Sequence, residues 1–452
     1  IALHLDAAGD VKAAFDAWLK ASRSATARSG LAEARTHLLR AEALLSVWAE
    51  GEDRRSKGLD LQFAFGELSL IANGHAASET GAAFARARDL SIALDLTSGA
   101  IKATAGLWLH HFVRGELDRA ADIAKDALSL TYHLPDPTVS GVGLVLDGVV
   151  DYHRGDFTAA AQSFQRAWER FRNHDEAGQD HFDVQDGRVS LLNCFAETLM
   201  CLGEIDRAVA LQREASLIAE AFGEPYTHAH NLGSRCYVAS FEGGSSGNDT
   251  ALEEDAGRLR KLGETYGFPF YIALGDVFYG RAMARQGRVS EAVTRFEQGL
   301  AGHRELGAAL DVPLFMAWYG EALGHTDIAG GLQVLDDALV LQAKNGQGWT
   351  DSELLRIRAG LLASAGQARE AGTVLRSAMR VATRQSAPFL ALRCGLDLAE
   401  RLRETDKPGE GRALLTRLYA PFANQTETVL TARVRASLDS LRAIANQPMV
   451  EA

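Results

Sequence analysis

Proline is scarce in this chain, 9 of 452 residues, where soluble proteins average about 5%, which excludes collagen-like and proline-rich architectures. No apolar run reaches the roughly 18 residues of a membrane span; the best, around Val139 to Val150, is broken by Asp147. The four cysteines (Cys194, Cys201, Cys236, Cys394) form no CxxC pair and have no histidines at finger spacing, so neither a disulfide framework nor a zinc ribbon is indicated. A reducing, cytoplasmic setting is expected. Cys194 and Cys201 share a helix face about 10 Å apart, beyond disulfide reach. Runs of lysine and arginine are missing and the net charge is −12, which argues against a nucleic-acid backbone as partner. There is no GxxxxGK[ST] phosphate loop, no GxSxG elbow and no carboxylate pair placed with a third group. Catalysis and a bound cofactor within this chain are therefore not expected.

What is present is a repeated phrase: glycine, a polar residue, an apolar one, two more positions, then alanine. It occurs at Gly9, Gly115, Gly155, Gly203, Gly287, Gly324 and Gly366, with weaker versions at Gly74, Gly243-Gly244 and Lys407-Pro408-Gly409. The turns at 74, 115, 155, 203, 244, 287, 324, 366 and 407 recur every 42 or so residues, a period of helical solenoids. Glycine is expected to end the first helix of a hairpin at positive φ, and alanine to open the second where two helices pass closely. Aromatics nine residues after the glycine (Trp18, Phe164, Phe296) and small residues seven before it (Gly148, Ala196, Gly280, Ala317, Ala359) keep the same register. Pro137, Pro225 and Pro269 each stand 18 residues before the next turn glycine, as for a first-turn proline. This gives the first helix ordinary length and puts the surplus over a 34-residue tetratricopeptide repeat in the second helix or the loop after it.

The expected fold is all-α: a right-handed superhelical solenoid of about ten tetratricopeptide-like helix hairpins. One array is expected over 1–445, with a loose glycine-rich turn at 242–250 and a frayed tail at 446–452. The chain opens inside a helix (Ile1, Leu3, Leu5) with no initiator methionine, which reads as a piece of a longer protein.

Candidate sites follow from the register. Concave positions two, five, nine, twelve and thirteen of each first helix give Lys102 and Phe112, Tyr152 and His153, Asn193 and Glu197, Arg281 and Arg285, Trp318 and Glu321, Glu353 and Arg356. Charged and aromatic groups on such a surface suit a protein or peptide partner; the bland alternative for each is a solvated side chain. The loop from His174 to Asp186 carries two histidines and several acids, with His174, His181 and Asp183 able to hold a cation, but at no recognised ligand spacing. A solvated loop is the plainer reading, and no metal is expected. The adjacent His110 and His111 cannot share one ligand from one helix face.

Ile1 to Leu45 (LHLDAAGD, AFDAWLKAS, LAEARTHLLRAEALL), Leu61 to Leu90, Tyr266 to Val293 and Gly348 to Leu362 together resemble a narrower group. This is the carboxy-terminal repeat region of bacterial AAA/STAND-type signalling ATPases, as in class III adenylate/guanylate cyclases fused to an ATPase and in LuxR-type or winged-helix regulators. The similarity runs over essentially the whole chain. It implies a non-catalytic, cytoplasmic interaction or regulatory module, with ATP and magnesium bound in domains upstream of Ile1. The implied partners are a protein or peptide on the concave face and the protein's own ATPase domain. The alternatives are a small-molecule effector sensor and a self-assembly module; neither nucleic acid nor membrane is implied. Relatives carry an Asp-Pro-Gly turn after the position of His174, where this chain has Gln185-Asp186-Gly187, so no family ligand site is carried over there.

Overall fold

The computed structural model describes residues 1–26, 28, 30–134, 136–172, 187–242 and 246–445. Its helices are α1 (Ala2–Ala7), α2 (Val11–Thr26), α3 (Leu31–Ser46), α4 (Glu52–Asn73), α5 (Ser78–Ala93), α6 (Thr97–Val113), α7 (Leu117–Thr131) and α8 (Pro137–Arg154). There follow α9 (Phe157–Phe171), α10 (Gly187–Cys201), α11 (Ile205–Phe222), α12 (Pro225–Glu242), α13 (Ser246–Tyr266), α14 (Pro269–Arg285) and α15 (Val289–Glu305). The last are α16 (Val312–Leu323), α17 (Ile328–Asn345), α18 (Asp351–Ser364), α19 (Ala368–Arg384), α20 (Pro388–Glu404), α21 (Pro408–Tyr419) and α22 (Val429–Ala445). Among the described residues there is no strand, and no helix is long and apolar enough to cross a membrane. The chain is a superhelical solenoid of helix hairpins. Hairpins α1/α2, α4/α5, α6/α7 and onward in pairs to α20/α21 carry the repeat; α3 stands between the first two and shifts the phase once.

Most turn glycines do what the phrase requires. Gly155 has φ +83, its N–H bonds to Tyr152 O at 2.9 Å, and Asp156 N bonds to Asp151 O at 2.9 Å. This paired pattern closes a helix through a left-handed residue. Gly115, Gly203, Gly287 and Gly366 repeat it, and Gly9 and Gly74 share the positive φ. Two turns differ from expectation. Gly324 has φ −62, so no left-handed backbone calls for glycine there; a Cβ on it would push aside the end of the Leu361 side chain, and the tight backbone approach is at Gly331, whose Cβ would meet the backbone of Gly320 and Gly324. In the last hairpin the left-handed residue is Asp406, φ +58, one position before the Lys407 expected from the sequence. The 243–244 turn lies outside the described residues, and α13 already begins at Ser246.

The surplus over a 34-residue repeat is shared by both helices. First helices α8 and α12 have 18 residues, as do second helices α11 and α17. The two layers differ in pattern. Outer α19 buries Ala371, Leu375, Ala378 and Ala382 on one stripe and turns Arg369, Arg376 and Arg380 away, as an amphipathic surface helix does. Inner α14 buries nearly every residue from Tyr271 to Met283, because it packs on its hairpin partner and on neighbouring hairpins.

The superhelix closes on itself, coil against coil. Ala309 N and Leu310 N bond to Val113 O at 2.9 and 3.0 Å, and Gly348 N and Trp349 N bond to His153 O at 2.8 and 3.3 Å. Further along, Ile205 N bonds to Gln425 Oε1, 220 residues away, at 2.7 Å, and Gln425 Nε2 donates to Gly203 O at 2.6 Å. Hairpin turns of the first coil thus sit on loops and turns of the second. One apolar core runs through both coils from Ala76 to Leu441, and a separate one serves the amino-terminal helices around Phe15, Trp18 and Leu38.

Candidate functional site

Where the coils meet lies a cavity of about 250 Å³. Its walls come from α6, α8, α10, α12 and α14 and from the residues just before α16. Most of the lining is apolar or aromatic: Trp108 stacks on Phe112 at 4.6 Å, and Phe270, Tyr271 and Leu274 face them. A few polar groups converge on it. Asn193 on α10 is 1% exposed, and neither its amide nitrogen nor its oxygen has a partner among the described residues. One turn on, Glu197 accepts a bond from Ser234 Oγ at 2.6 Å. Burial, reinforced by the Asp311 carboxylate against the Ser234 bond, pushes its carboxyl up to about 8. His230 leaves Nε2 without a partner, and burial lowers its pKa to about 4.

Asp311 sits just before α16 at φ +59. Tyr237 OH and Trp349 Nε1 donate to its two oxygens at 2.9 and 3.0 Å. His153 Nε2 lies 3.8 Å away, but burial depresses the pKa of that ring against the pull of Asp311. No lysine or arginine is among the described residues lining the cavity. Among the described residues it therefore holds two acidic groups without a permanent cation, and an amide without a partner.

A second pocket, about 340 Å³, lies in the second coil between α14, α16, α18, α20 and α22. It is lined by Arg281, Arg285, Arg356, Arg393 and Arg433 with Glu321 and Asp397. Most of this charge is engaged in structure. Glu353, against the cost of its burial, is held well below the usual carboxylate range by Arg356 and Arg393, which reach it at 2.8 Å each. Arg356 also pairs with Asp397 at 2.7 Å, and Arg281 pairs with Glu321. Arg285 donates to Ala239 O and Ser240 O, and Arg393 to Phe241 O. These are carbonyls of the last turn of α12, which a helix cannot satisfy itself.

The concave positions named from sequence thus separate. Asn193, Glu197, Phe112 and His153 line the cavity; Arg281, Arg285, Glu321 and Arg356 line the arginine pocket. Tyr152 is buried against Trp349, Trp318 is buried beneath the Arg281 guanidinium, and Glu353 is buried in its ion pairs. Lys102 is half-buried, 3.0 Å from Glu67. His110 bonds to His75 O at 2.9 Å and His111 to Glu116 at 2.6 Å, both in structural roles. His174, His181 and Asp183 lie outside the described residues. The sequence reading missed His230, Tyr237 and Asp311. Counting from Gly243 instead of Gly244 puts His230 and Tyr237 at positions two and nine of their helix, and Asp311 is position two before Gly324.

No family model matches the chain. An uncharacterised protein of Rhizobium meliloti is 22% identical over 410 residues, covering 88% of this chain; the chain spans 39% of that protein's length. A Rap protein complexed with competence and sporulation factor superposes with a TM-score of 0.55, at 14% identity over 82% of this chain and 98% of that one. The fold is a tetratricopeptide-like solenoid. A signal transduction ATPase with numerous domains carrying a tetratricopeptide repeat sensor, from Pyrococcus horikoshii, aligns at a TM-score of 0.44 and 13% identity, covering 89% of this chain and 56% of that one.

Proposed function

We propose that this chain is a non-catalytic regulatory repeat module of a larger signalling protein, and that an effector held inside the superhelix is sensed as a change in the fit of one coil on the next. The observation that carries this reading is Asn193, buried on the wall of the cavity with both polar atoms unpartnered among the described residues. Such an amide costs about 1–3 kcal/mol relative to an apolar side chain of the same shape, so its presence favours a ligand that satisfies it. A concave, mostly apolar pocket with a few inward polar groups is the form of a small-molecule site. A peptide-laying groove calls for a long open channel.

The cavity is coupled to the coil seam. Asp311 follows Ala309 and Leu310, whose N–H groups bond to Val113 O, and its carboxylate accepts from Trp349, whose own N–H bonds to His153 O. A ligand that moves Asp311 acts on both seam contacts and so biases the superhelix between closed and loosened states. The resemblance to signalling ATPases supports an output domain upstream that binds ATP and magnesium, together with cytoplasmic residence. The test is a thermal-shift screen of small metabolites on the wild-type chain and on Asn193→Leu. The reading expects stabilising compounds whose effect the substitution removes; hits that stabilise both proteins equally would place the effector elsewhere.

One feature favours a second reading, a protein partner. Arg433 has no ion pair within 4.0 Å among the described residues, and it opens the arginine pocket to a carboxylate-bearing segment. In that case Arg433→Glu would abolish co-purification with the upstream domains, while Asn193→Leu would leave it intact.

A further inference from the structure

We propose that the effector is a small organic cation, an ammonium on an apolar or aromatic body, with its charge seated between Glu197 and Asp311 and its body against Trp108, Phe112 and Phe270. This rests on the cavity being an effector site and names the ligand class. Several independent features converge on it. The groups facing the two carboxylates are Tyr152 and His153 from α8, Cys194 and Cys201 from α10, His230, Ser234 and Tyr237 from α12, and Trp349. None is a permanent cation, so among the described residues no lysine or arginine faces the two acidic groups. Hydrogen bonds from Ser234, Tyr237 and Trp349 satisfy oxygens of these groups without supplying a full positive charge, and an ammonium brought by the ligand would supply it. Aromatic faces line the remaining wall, which suits an organic cation better than a hydrated metal ion. Asn193 supplies one acceptor and two donors to a polar substituent beside the ammonium. At 250 Å³ the space is below the roughly 300–1,000 Å³ of sites for drug-sized ligands, so the body is small.

An anion is disfavoured by the same acidic groups, and a neutral alcohol brings no charge to pair with them. Binding also has a proton signature. Glu197 is largely protonated at neutral pH, so an ammonium that pairs with it displaces a proton to solvent, and affinity rises as pH approaches 8.

The test is a matched panel on the full chain: alkylamines and arylalkylamines of graded length, each with its alcohol and carboxylic acid counterpart, and short peptides with free and acetylated amino termini. Binding is followed by thermal shift and by calorimetry in buffers of different ionisation heat. The expected result is stabilisation by amines alone, release of up to one proton per ligand at pH 7, and loss of about 30-fold or more in amine affinity in Glu197→Gln, as for one partner of a buried charge pair. Asp311→Asn, which tolerates the left-handed backbone, gives an independent variant if Glu197→Gln folds poorly. Free-amino peptides outbinding the small amines would make the natural source a peptide terminus. Alcohols or acids binding as well as amines, with Asn193→Leu abolishing all of them, would overturn the cation assignment and leave the effector site standing. No binding by any class would overturn both.

Discussion

The closure of coil on coil rests on backbone approaches that one methyl group can disrupt, and Gly348 isolates the effect. Its φ is outside the left-handed region, so alanine brings no backbone strain there. A Cβ would, however, meet the Arg154 carbonyl oxygen inside the 3.0 Å that real Cβ atoms keep. To make room, the loop must withdraw from the α8 turn. Three bonds are then at risk: Gly348 N and Trp349 N to His153 O, and Gln385 Nε2 to Gly348 O at 2.8 Å. At about 0.5–1.5 kcal/mol each, Gly348→Ala should cost about 2–4 kcal/mol. The control is Gly366→Ala, where φ is +80 and no atom lies within 4 Å of the added Cβ; it should cost only the strain of a left-handed alanine, about 1 kcal/mol. Denaturant titration gives the two stabilities, and hydrogen exchange at the Gly348 and Trp349 amides reports the seam. Exchange should accelerate in Gly348→Ala beyond what global stability explains, and stay as in wild type in Gly366→Ala. Equal costs for the two, with seam amides equally protected, would refute coil closure as a stabilising contact.

Asn193→Leu should raise stability by about 1–3 kcal/mol in ligand-free protein, by removing the unpartnered amide; a loss of stability by calorimetry would mean the amide is satisfied. Melting temperature should rise from pH 4 to 6.5, because His75, His230 and His303, each lowered to about 4 chiefly by burial, take up protons on unfolding across that window. Above it stability should fall towards pH 8, because Glu197, raised to about 8, releases its proton on unfolding; Glu197→Gln should flatten this alkaline limb. Glu353→Gln should cost about 3–5 kcal/mol by leaving Arg356 and Arg393 without their buried partner, read by urea titration. Asp406→Gly, at φ +58, should stabilise by up to about 1 kcal/mol, since glycine carries no left-handed strain.

Periodicity made the hairpins legible because a left-handed helix end admits few residue types, so glycine recurs in register. The same logic explains where it misled. Asp406 supplies the same backbone without glycine, one position from where the phrase placed the turn, and Gly324 ends α16 without a left-handed backbone, beside the close passage of α17 at Gly331. Helix lengths were less legible: a proline marks where a first helix starts, yet nothing in the phrase shows that α8 and α12 extend to 18 residues. For the candidate site, counting along first helices reached Asn193 and Glu197 but gave no reason to separate them from Arg281 or Trp318. That separation is a property of the superhelix. It depends on which loops of the second coil reach back to the first, and those contacts join residues 220 apart in sequence at one seam.

Asp311 shows why the two levels belong together. It belongs to the cavity by its carboxylate and to the seam by its backbone, at a left-handed position where a non-glycine residue costs about 1–2 kcal/mol. A glycine there would relieve the strain but give up the bonds from Tyr237 and Trp349, and with them the tie between cavity and seam. The strain falls on the residue that joins the two coils. A cation entering the cavity pairs with Asp311 only while the seam holds that residue in place, so ligand affinity and coil closure are linked and each must strengthen the other. Gly348→Ala, which alters the seam at the His153 carbonyl without changing a cavity side chain, should therefore weaken effector binding by the same factor by which the effector favours the closed superhelix.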